Sequence, residues 1–165
     1  MSKNAVNVVE VDIEQKEILA SLMQFYRYDL SEFNNDDVDS SGKLSVGKYF
    51  DVYWIETERH PFFIKQGNKL IGFALVRELC RHRYSVAEFF IMRKYRHLGF
   101  GRQAAFTLFD RFKGEWHVAQ EQNNAIAQTF WRSIIRDYTN NRFEETFSVS
   151  QPKGPEQVFY SRTIL

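Results

Sequence analysis

The segment PFFIKQGNKLIGFALV, residues 61–76, constrains the fold of this chain more than any other segment. Two runs rich in aromatic and branched side chains flank Gly67 and Asn68, residues that readily adopt positive φ. This pattern predicts a β-hairpin with strands at 61–66 and 69–78. Antiparallel pairing must therefore form part of any sheet that the chain builds.

Strands and helices alternate along the rest of the chain. Apolar residues at every second position predict strands, and apolar stripes at helical spacing predict helices. The predicted strands are 4–12, 84–92, 116–120, 143–149 and 157–164, the predicted helices are 14–30, 99–112 and 124–138, and residues 34–48 form a polar loop. Hairpins in the first half and a strand–helix–strand–helix succession in the middle predict a mixed α+β fold. The length is that of one domain, residues 1–165, with one substantial core.

The charge and the cysteine content argue against several classes of protein. Lys and Arg total 22 and Asp and Glu total 21, so the net charge of +1 does not point to nucleic acid or to an anionic membrane surface. Cys80 is the only cysteine, which excludes an internal disulfide and a cysteine-based zinc site. No apolar run approaches the ~20 residues of a membrane helix, and the first residues lack the apolar stretch of a signal peptide. We therefore expect a cytoplasmic protein with no nucleic-acid or membrane partner.

The segment RKYRHLGFGRQAAF, residues 93–106, carries the clearest functional signal. Three arginines and a lysine surround two glycines where the predicted strand 84–92 passes into the predicted helix 99–112. Glycines at such a junction let the first amides of the helix approach a ligand, and those amides are unpaired donors at the positive end of the helix dipole. The combination suits a pyrophosphate, whereas the simpler alternative is an exposed loop with solvated arginines.

Three known phosphate-binding arrangements compete for this segment. Gly99, Gly101 and Ala104 match the dinucleotide pattern GxGxxA, and Glu121 lies at a suitable distance for a ribose. The six residues RKYRHL, however, separate the strand from the first glycine, which argues against that pattern. A nucleoside triphosphatase loop requires Lys followed by Ser or Thr after the glycines, and this segment has neither. The pattern RxxGxG, matched by Arg96, Gly99 and Gly101, fits best.

With EFFIMRKYRHLGFGR around it, the RxxGxG segment resembles the acetyl-CoA loop of the GCN5-related N-acetyltransferase (GNAT) family. The preceding hairpin and the strand 84–92 are similar to those of the family, and the helix with Asn124, Ala127 and Trp131 resembles its NxxAxxxY segment. The resemblance covers residues 60–140 closely and the whole chain loosely. It implies a GNAT-type α/β fold, in which a central mixed, mostly antiparallel sheet splays between its fourth and fifth strands and is flanked by helices.

The resemblance also implies which residues bind acetyl-CoA. Amides of the loop would hold the pyrophosphate, with Arg96 at the head of the motif. Backbone groups of Ile91 and Arg93 would pair with the pantetheine arm like an added strand, and Asn124 would contact it from the following helix. Asn124 is equally suited to cap that helix, and Phe100 to pack at the helix start. The predicted cofactor-binding residues are Ile91, Arg93, Arg96, His97, Leu98, Gly99, Phe100, Gly101, Arg102, Asn124 and Trp131.

Acetyl transfer to an amine requires a base and a donor for the oxyanion. The amine is protonated at neutral pH and must lose a proton before it attacks the thioester directly. Glu88 is the candidate base, because a carboxylate in an otherwise apolar strand, three residues before Ile91, is costly to bury without a purpose. A backbone amide near Ile91 would donate to the developing oxyanion. The alternative for Glu88 is an ion pair with a neighbouring Lys or Arg.

Trp131 departs from the family pattern, which has a tyrosine at this position as general acid. An indole N–H donates a hydrogen bond but does not lose its proton at working pH. Either solvent protonates the departing thiolate, or another hydroxyl such as Tyr138 or Tyr26 does so, or catalysis has been lost. Glu88 and Tyr138 are the catalytic residues that we predict. The missing tyrosine also motivates an alternative function, a non-catalytic CoA-binding sensor or interaction module.

The region between the first two strands is expected to bind the acceptor. Its aromatic side chains and carboxylates suit a cationic amine, on a small molecule or at a protein terminus, and we expect a monomer or homodimer. Residues 37–48, DVDSSGKLSVGK, have the spacing of a calcium-binding loop, but Lys48 occupies the position of the essential glutamate, so no metal is predicted. The candidate acceptor residues are Phe25, Tyr26, Tyr28, Asp29, Glu32, Phe33, Tyr53, Trp54 and Glu56.

Overall fold

The computed structural model describes residues 5–163 as three helices, seven strands and three short 3-10 turns. The predicted strands 4–12 and 157–164 reach residues 4 and 164, which lie outside the described residues. The helices are α1 (Lys16–Asn34), α2 (Phe100–Arg111) and α3 (Ala125–Thr139). The strands are β1 (Asn7–Glu10), β2 (Arg59–Gln66), β3 (Lys69–Cys80), β4 (Arg83–Ile91), β5 (Glu115–Ala119), β6 (Glu144–Ser148) and β7 (Gly154–Tyr160).

The strands form one mixed sheet in the order β1-β2-β3-β4-β5-β7-β6. All neighbouring strands pair antiparallel except β4 and β5, which are parallel. The predicted hairpin is confirmed, since Gln66 pairs with Lys69 across the two-residue turn at Gly67 and Asn68. The predicted mixed α+β fold is likewise confirmed.

Several element boundaries differ from the prediction by a few residues, including the end of α1 and the start of β7. Helix α1 continues to Asn34 and ends where Asn35 adopts the left-handed conformation, with φ of 61°. Strand β7 begins at Gly154, three residues before the predicted start, so Gly154 and Pro155 belong to the strand and not to the turn. Proline is tolerated near the start of the strand, beyond the last β5–β7 pair, and its carbonyl accepts the N–H of Gln120, the residue after β5, at 3.0 Å.

Strands β4 and β5 diverge, as predicted. Only residues 83–85 of β4 pair with residues 115–117 of β5, and the pairing stops there. From Val86 to Ile91, no strand within residues 5–163 pairs with β4 on that side. We call the space between residues 86–91 of β4 and residues 118–120 the β4–β5 gap.

A β-bulge at Ala87 changes the faces to which the following side chains point. Leu75 lies opposite Glu88 and Val76 lies opposite Val86, so Ala87 has no partner on β3. After the bulge, Glu88 points to the face of the sheet that α1 covers. The bulge therefore directs the only carboxylate of β4 toward α1.

The sheet separates two apolar cores. One core, with Phe109 and Trp116 at its centre, lies between the sheet and helices α2 and α3. The other, which includes Met23 and Phe73, lies between the sheet and α1. Each such buried side chain contributes about 1.5–3 kcal/mol, so the helices are firmly fixed on the two faces. Within residues 5–163, no helix is both long and apolar enough to cross a membrane.

Candidate active site

The loop between β4 and α2 presents a row of backbone amides. A 3-10 turn at Arg93–Tyr95 follows β4, and His97 and Gly99 both adopt positive φ, 61° and 82°, before α2 begins. None of the amides of residues 97–102 has a hydrogen-bond partner among residues 5–163. These donors lie at the positive end of the α2 dipole, so the arginine–glycine loop, residues 93–102, is suited to bind an anion.

Gly101 allows the start of α2 to lie close to α3 and β4. A Cβ atom at this position would lie 3.0 Å from the Phe130 ring and 3.5 Å from Cγ1 of Ile91. Phe100 is buried and its ring centroid lies 6.3 Å from that of Tyr95, so it packs the helix start against the loop. Leu98 is exposed.

The three arginines of the loop are paired with carboxylates of the protein. Asp29 on α1 binds Arg93 at 2.8 Å and Arg96 at 2.6 Å, and Arg102 binds Asp137 on α3. The Arg96 guanidinium also donates Nε–H to the Ile91 carbonyl at 2.8 Å. The arginines therefore fix the shape of the loop, whereas its amides are the groups left to bind a ligand.

The peptide groups of Phe89 and Ile91 face the β4–β5 gap. Met92 donates its N–H to the Ile71 carbonyl on β3, and successive peptide groups of a strand point to opposite sides. Arg93 lies in the 3-10 turn that follows β4, where its carbonyl accepts the Arg96 N–H at 3.2 Å. A backbone contact between Arg93 and a cofactor can therefore use only its N–H, and that contact stays a prediction.

Aromatic side chains from β4 and α3 line the gap. Trp131 is buried, and its ring centroid lies 5.0 Å from those of Phe89 and Phe130. Its observed role is packing. Asn124 caps α3 by accepting the Ala127 N–H at 3.0 Å, and a cofactor contact at Asn124 stays a prediction.

Glu88 lies against two consecutive residues of α1. The Tyr26 hydroxyl donates a hydrogen bond to Oε2, and Arg27 Nη2 lies 3.2 Å from Oε1. The Glu88 side chain is 22% exposed. Burial raises the pKa of the carboxyl, and Arg27 and the Tyr26 hydrogen bond offset only part of that rise. Burial also raises the pKa of Tyr26 well above its usual value, so this hydroxyl remains a donor.

Tyr138 does not join Glu88. Its hydroxyl donates to Asp110 Oδ1 at 2.9 Å and accepts the Arg162 N–H at 3.1 Å, within the core on the α2–α3 side of the sheet. Glu88 points to the other face. Tyr138 thus links α2, α3 and the segment after β7, and of the two hydroxyls considered from the sequence, only that of Tyr26 contacts Glu88.

The carboxylates expected to bind a cationic amine are largely occupied by arginines. Asp29 binds Arg93 and Arg96, Glu56 binds Arg59 at 2.6 Å, and Glu88 binds Arg27. The loop with calcium-binding spacing is closed by its own hydrogen bonds: Asp39 Oδ1 accepts the N–H of Ser41 and of Lys43. In residues 5–163, no group of three or more His, Cys, Asp or Glu side chains is arranged to hold a metal ion.

The sequence does not reveal that Arg27 contacts Glu88 or that Asp29 contacts the arginine–glycine loop. Each contacts a residue more than 60 positions away along the chain, and the helical pattern of α1 does not reveal such contacts. The sequence near these residues gives one indication of such contacts, which is that Arg27 and Asp29 are charged residues on the helix that also carries Tyr26.

Comparisons with known proteins agree with this architecture. A family model described as "Acetyltransferase (GNAT) family" matches residues 22–134. An acetyltransferase from Thermus thermophilus matches with a TM-score of 0.70 and 13% identity over 97% of this chain and 99% of that chain. An acetyltransferase from Streptococcus agalactiae matches with a TM-score of 0.63 and 15% identity over 94% and 98%. The PaiA N-acetyltransferase from Thermoplasma acidophilum, solved in complex with coenzyme A, matches with a TM-score of 0.61 and 9% identity over 93% and 98%. No curated protein sequence matches the chain.

Proposed function

The chain belongs to the GNAT acetyltransferase family, and we propose that it transfers an acetyl group from acetyl-CoA to a primary amine. The amine attacks the thioester directly, without a covalent enzyme intermediate. Cys80, the only thiol of the chain, is exposed at the end of β3 that is distant from the gap, which supports direct attack.

The observation that carries this proposal is the arrangement along β4. The Glu88 carboxylate points to one face of the sheet, while the adjacent Phe89 peptide group and that of Ile91 point into the β4–β5 gap. A proton acceptor and donors for an oxyanion are thus held on one rigid strand, a few residues apart. The amides of the arginine–glycine loop lie just beyond the end of that strand, where the pyrophosphate of CoA would bind.

The reaction follows from these positions. Glu88 takes a proton from the ammonium of the acceptor, and the free amine forms a bond to the thioester carbonyl carbon. The N–H groups of Phe89 and Ile91 donate to the oxygen as it gains charge. When the C–S bond breaks, the second proton of the attacking nitrogen passes to the thiolate. The products are the acetamide and free CoA, and the proton held by Glu88 returns to solvent.

Tyr26 and Trp131 have supporting roles. The Tyr26 hydroxyl orients the Glu88 carboxylate and remains protonated, because burial raises its pKa. Trp131 packs beside Phe89 at the gap and supplies no proton. Protonation of the thiolate therefore does not depend on the position where relatives have a tyrosine.

Acetyl-CoA titration by calorimetry, followed by thiol-release kinetics with a panel of primary amines, tests the proposal. We expect saturable binding of acetyl-CoA and thiol release that depends on the amine. Tighter binding of NADH or NADPH than of acetyl-CoA would contradict the assignment of the loop.

A non-catalytic CoA-binding sensor or interaction module is the second candidate. Trp131 at the tyrosine position and the ion pair between Glu88 and Arg27 are the observations that favour it. Binding of acetyl-CoA without turnover of any amine would support this candidate over the enzyme.

A further inference from the structure

Arg27 and Glu88 form an adjacent pair of opposite charges at the proposed site of amine attack. Arg27 Nη2 and Glu88 Oε1 are 3.2 Å apart, and the two side chains are 17% and 22% exposed. A charge-assisted hydrogen bond is normally about 2.7–2.9 Å long, so this contact is not at its closest approach. Both groups lie on the same side of the sheet, the side that α1 covers, and each keeps a small exposed surface.

The guanidinium of Arg27 has unused donors. A guanidinium carries five N–H groups, and the bond to Glu88 is the only hydrogen bond that this guanidinium makes within residues 5–163. Its Nε is buried without a partner. Gly47 lies against the guanidinium: a Cβ atom at Gly47 would lie 2.7 Å from Nη2, the nitrogen that also contacts Glu88, so a larger residue at this position would displace Arg27.

Arg77 adds a second cation to the same face of the sheet. It lies two residues from Leu75 on β3, and Leu75 is the residue opposite Glu88. Arg77 has no ion-pair partner in the described part of the chain, and its side chain is exposed. Because the nearby acids Asp29 and Glu56 are already bound to arginines, the surroundings of Glu88 do not favour a molecule that carries only positive charges.

We propose that the acceptor is a zwitterion, an amine that carries a carboxylate close by, whose ammonium binds Glu88 and whose carboxylate binds Arg27. This inference rests on the proposed acetyltransferase function and assigns the chemical class of its acceptor. The incoming carboxylate replaces Glu88 as the partner of Arg27, which leaves Glu88 to accept the ammonium proton. This proposal also narrows the expectation from composition that aromatic residues and acids suit a cationic amine, because the acceptor would carry a carboxylate as well.

Matched acceptors test the proposal. We would measure kcat/KM at saturating acetyl-CoA for pairs that differ only in the carboxylate: L-lysine against cadaverine, and L-phenylalanine against L-phenylalaninamide. We expect the carboxylate member of a pair to be preferred by at least about tenfold. In Arg27→Gln this preference should fall by about 10- to 100-fold, the range for a hydrogen bond to a charged group. Arg27→Lys, which keeps the charge but not the planar fork, should retain part of the preference.

The ratio within each pair separates recognition from general damage to the site, because a misplaced Glu88 affects both members equally. Arg81→Gln is the control, since Arg81 is exposed in the β3–β4 turn, outside the site. Equal or better use of cadaverine and the amide, with turnover intact, would overturn the inference and leave the proposed function standing. A preference that survives in Arg27→Gln would also overturn it. Absence of turnover with every amine would overturn the proposed function itself. If Arg27→Gln does not fold, the kcat/KM ratios of the acceptor pairs in wild type and in Arg27→Lys decide whether Arg27 binds the carboxylate.

Discussion

Replacing Asp29 with alanine should loosen the arginine–glycine loop and weaken acetyl-CoA binding. Asp29 lies on α1, the helix that also provides Tyr26 and Arg27, and it accepts hydrogen bonds from Arg93 and Arg96. It therefore links the helix that contacts Glu88 to the loop proposed to hold the pyrophosphate.

The exposure of the partners sets the expected loss of stability. Arg93 is 73% exposed, so its pair with Asp29 contributes about 0.2–1 kcal/mol. Arg96 is 34% exposed and Asp29 21%, and a hydrogen bond between charged groups in such a place contributes about 1.5–3 kcal/mol. Arg96 keeps its bond to the Ile91 carbonyl, which limits the loss to about 2 kcal/mol. For a domain of this size that loss lowers Tm by about 4–8 °C.

Thermal unfolding and acetyl-CoA titration of Asp29→Ala test this reasoning, with Glu32→Gln as the control. Glu32 lies one turn further along α1 and has no ion-pair partner among residues 5–163, so its loss changes the charge of the helix without releasing an arginine. We expect acetyl-CoA affinity to fall several-fold in Asp29→Ala and to stay unchanged in Glu32→Gln. If affinity rises in Asp29→Ala, the released arginines bind phosphate themselves, and the view that they only shape the loop is wrong.

Three further changes give distinct outcomes. Gly101→Val should lower the free energy of unfolding by about 1–3 kcal/mol, because the valine side chain would press on the Phe130 ring. It should also weaken acetyl-CoA binding at least tenfold, and an unchanged affinity measured by calorimetry would contradict the loop assignment. Tyr26→Phe removes a hydrogen bond that lowers the Glu88 pKa, so the acidic limb of the pH profile of kcat/KM should move to higher pH; a shift to lower pH would contradict the role of Glu88 as base. Hydrogen bonds from His117 and Tyr160 lower the Glu115 pKa from 4.5 to about 2. Wild type should therefore be more stable than Glu115→Gln by a constant amount above pH 4.5, and this difference should decline as the pH falls toward 2. Urea unfolding at several pH values measures the difference in the free energy of unfolding, and a difference that increases on acidification would refute the reasoning.

Features that depend on neighbouring residues in the chain were predictable from the sequence. The hairpin at Gly67–Asn68 and the glycine-rich start of α2 are encoded locally, in turn residues and in apolar periodicity. The opening of the sheet between β4 and β5 was expected from the family resemblance, since no local pattern in either strand specifies where pairing stops.

Features that depend on register or on distant contacts were not predictable. The bulge at Ala87 is visible only when β4 is aligned with β3, and it decides that Glu88 faces α1. The partners of Arg27 and Arg96 lie 61 and 67 residues away along the chain. The predicted start of β7 is wrong because Gly154 and Pro155 have the composition of a turn, whereas in the structure they pair with Ser148 and Phe147 of β6.

The Glu88→Gln variant provides the most direct test of the central claim, that a carboxylate on β4 accepts the proton of the amine beside a gap that holds acetyl-CoA. Glutamine keeps the shape of the side chain and can still accept the Tyr26 hydrogen bond, so folding and acetyl-CoA affinity should stay near wild-type values. The account predicts that kcat/KM for the amine falls by about 100-fold or more, as expected when a general base is removed. A variant that binds acetyl-CoA normally and acetylates the amine at the wild-type rate would contradict it.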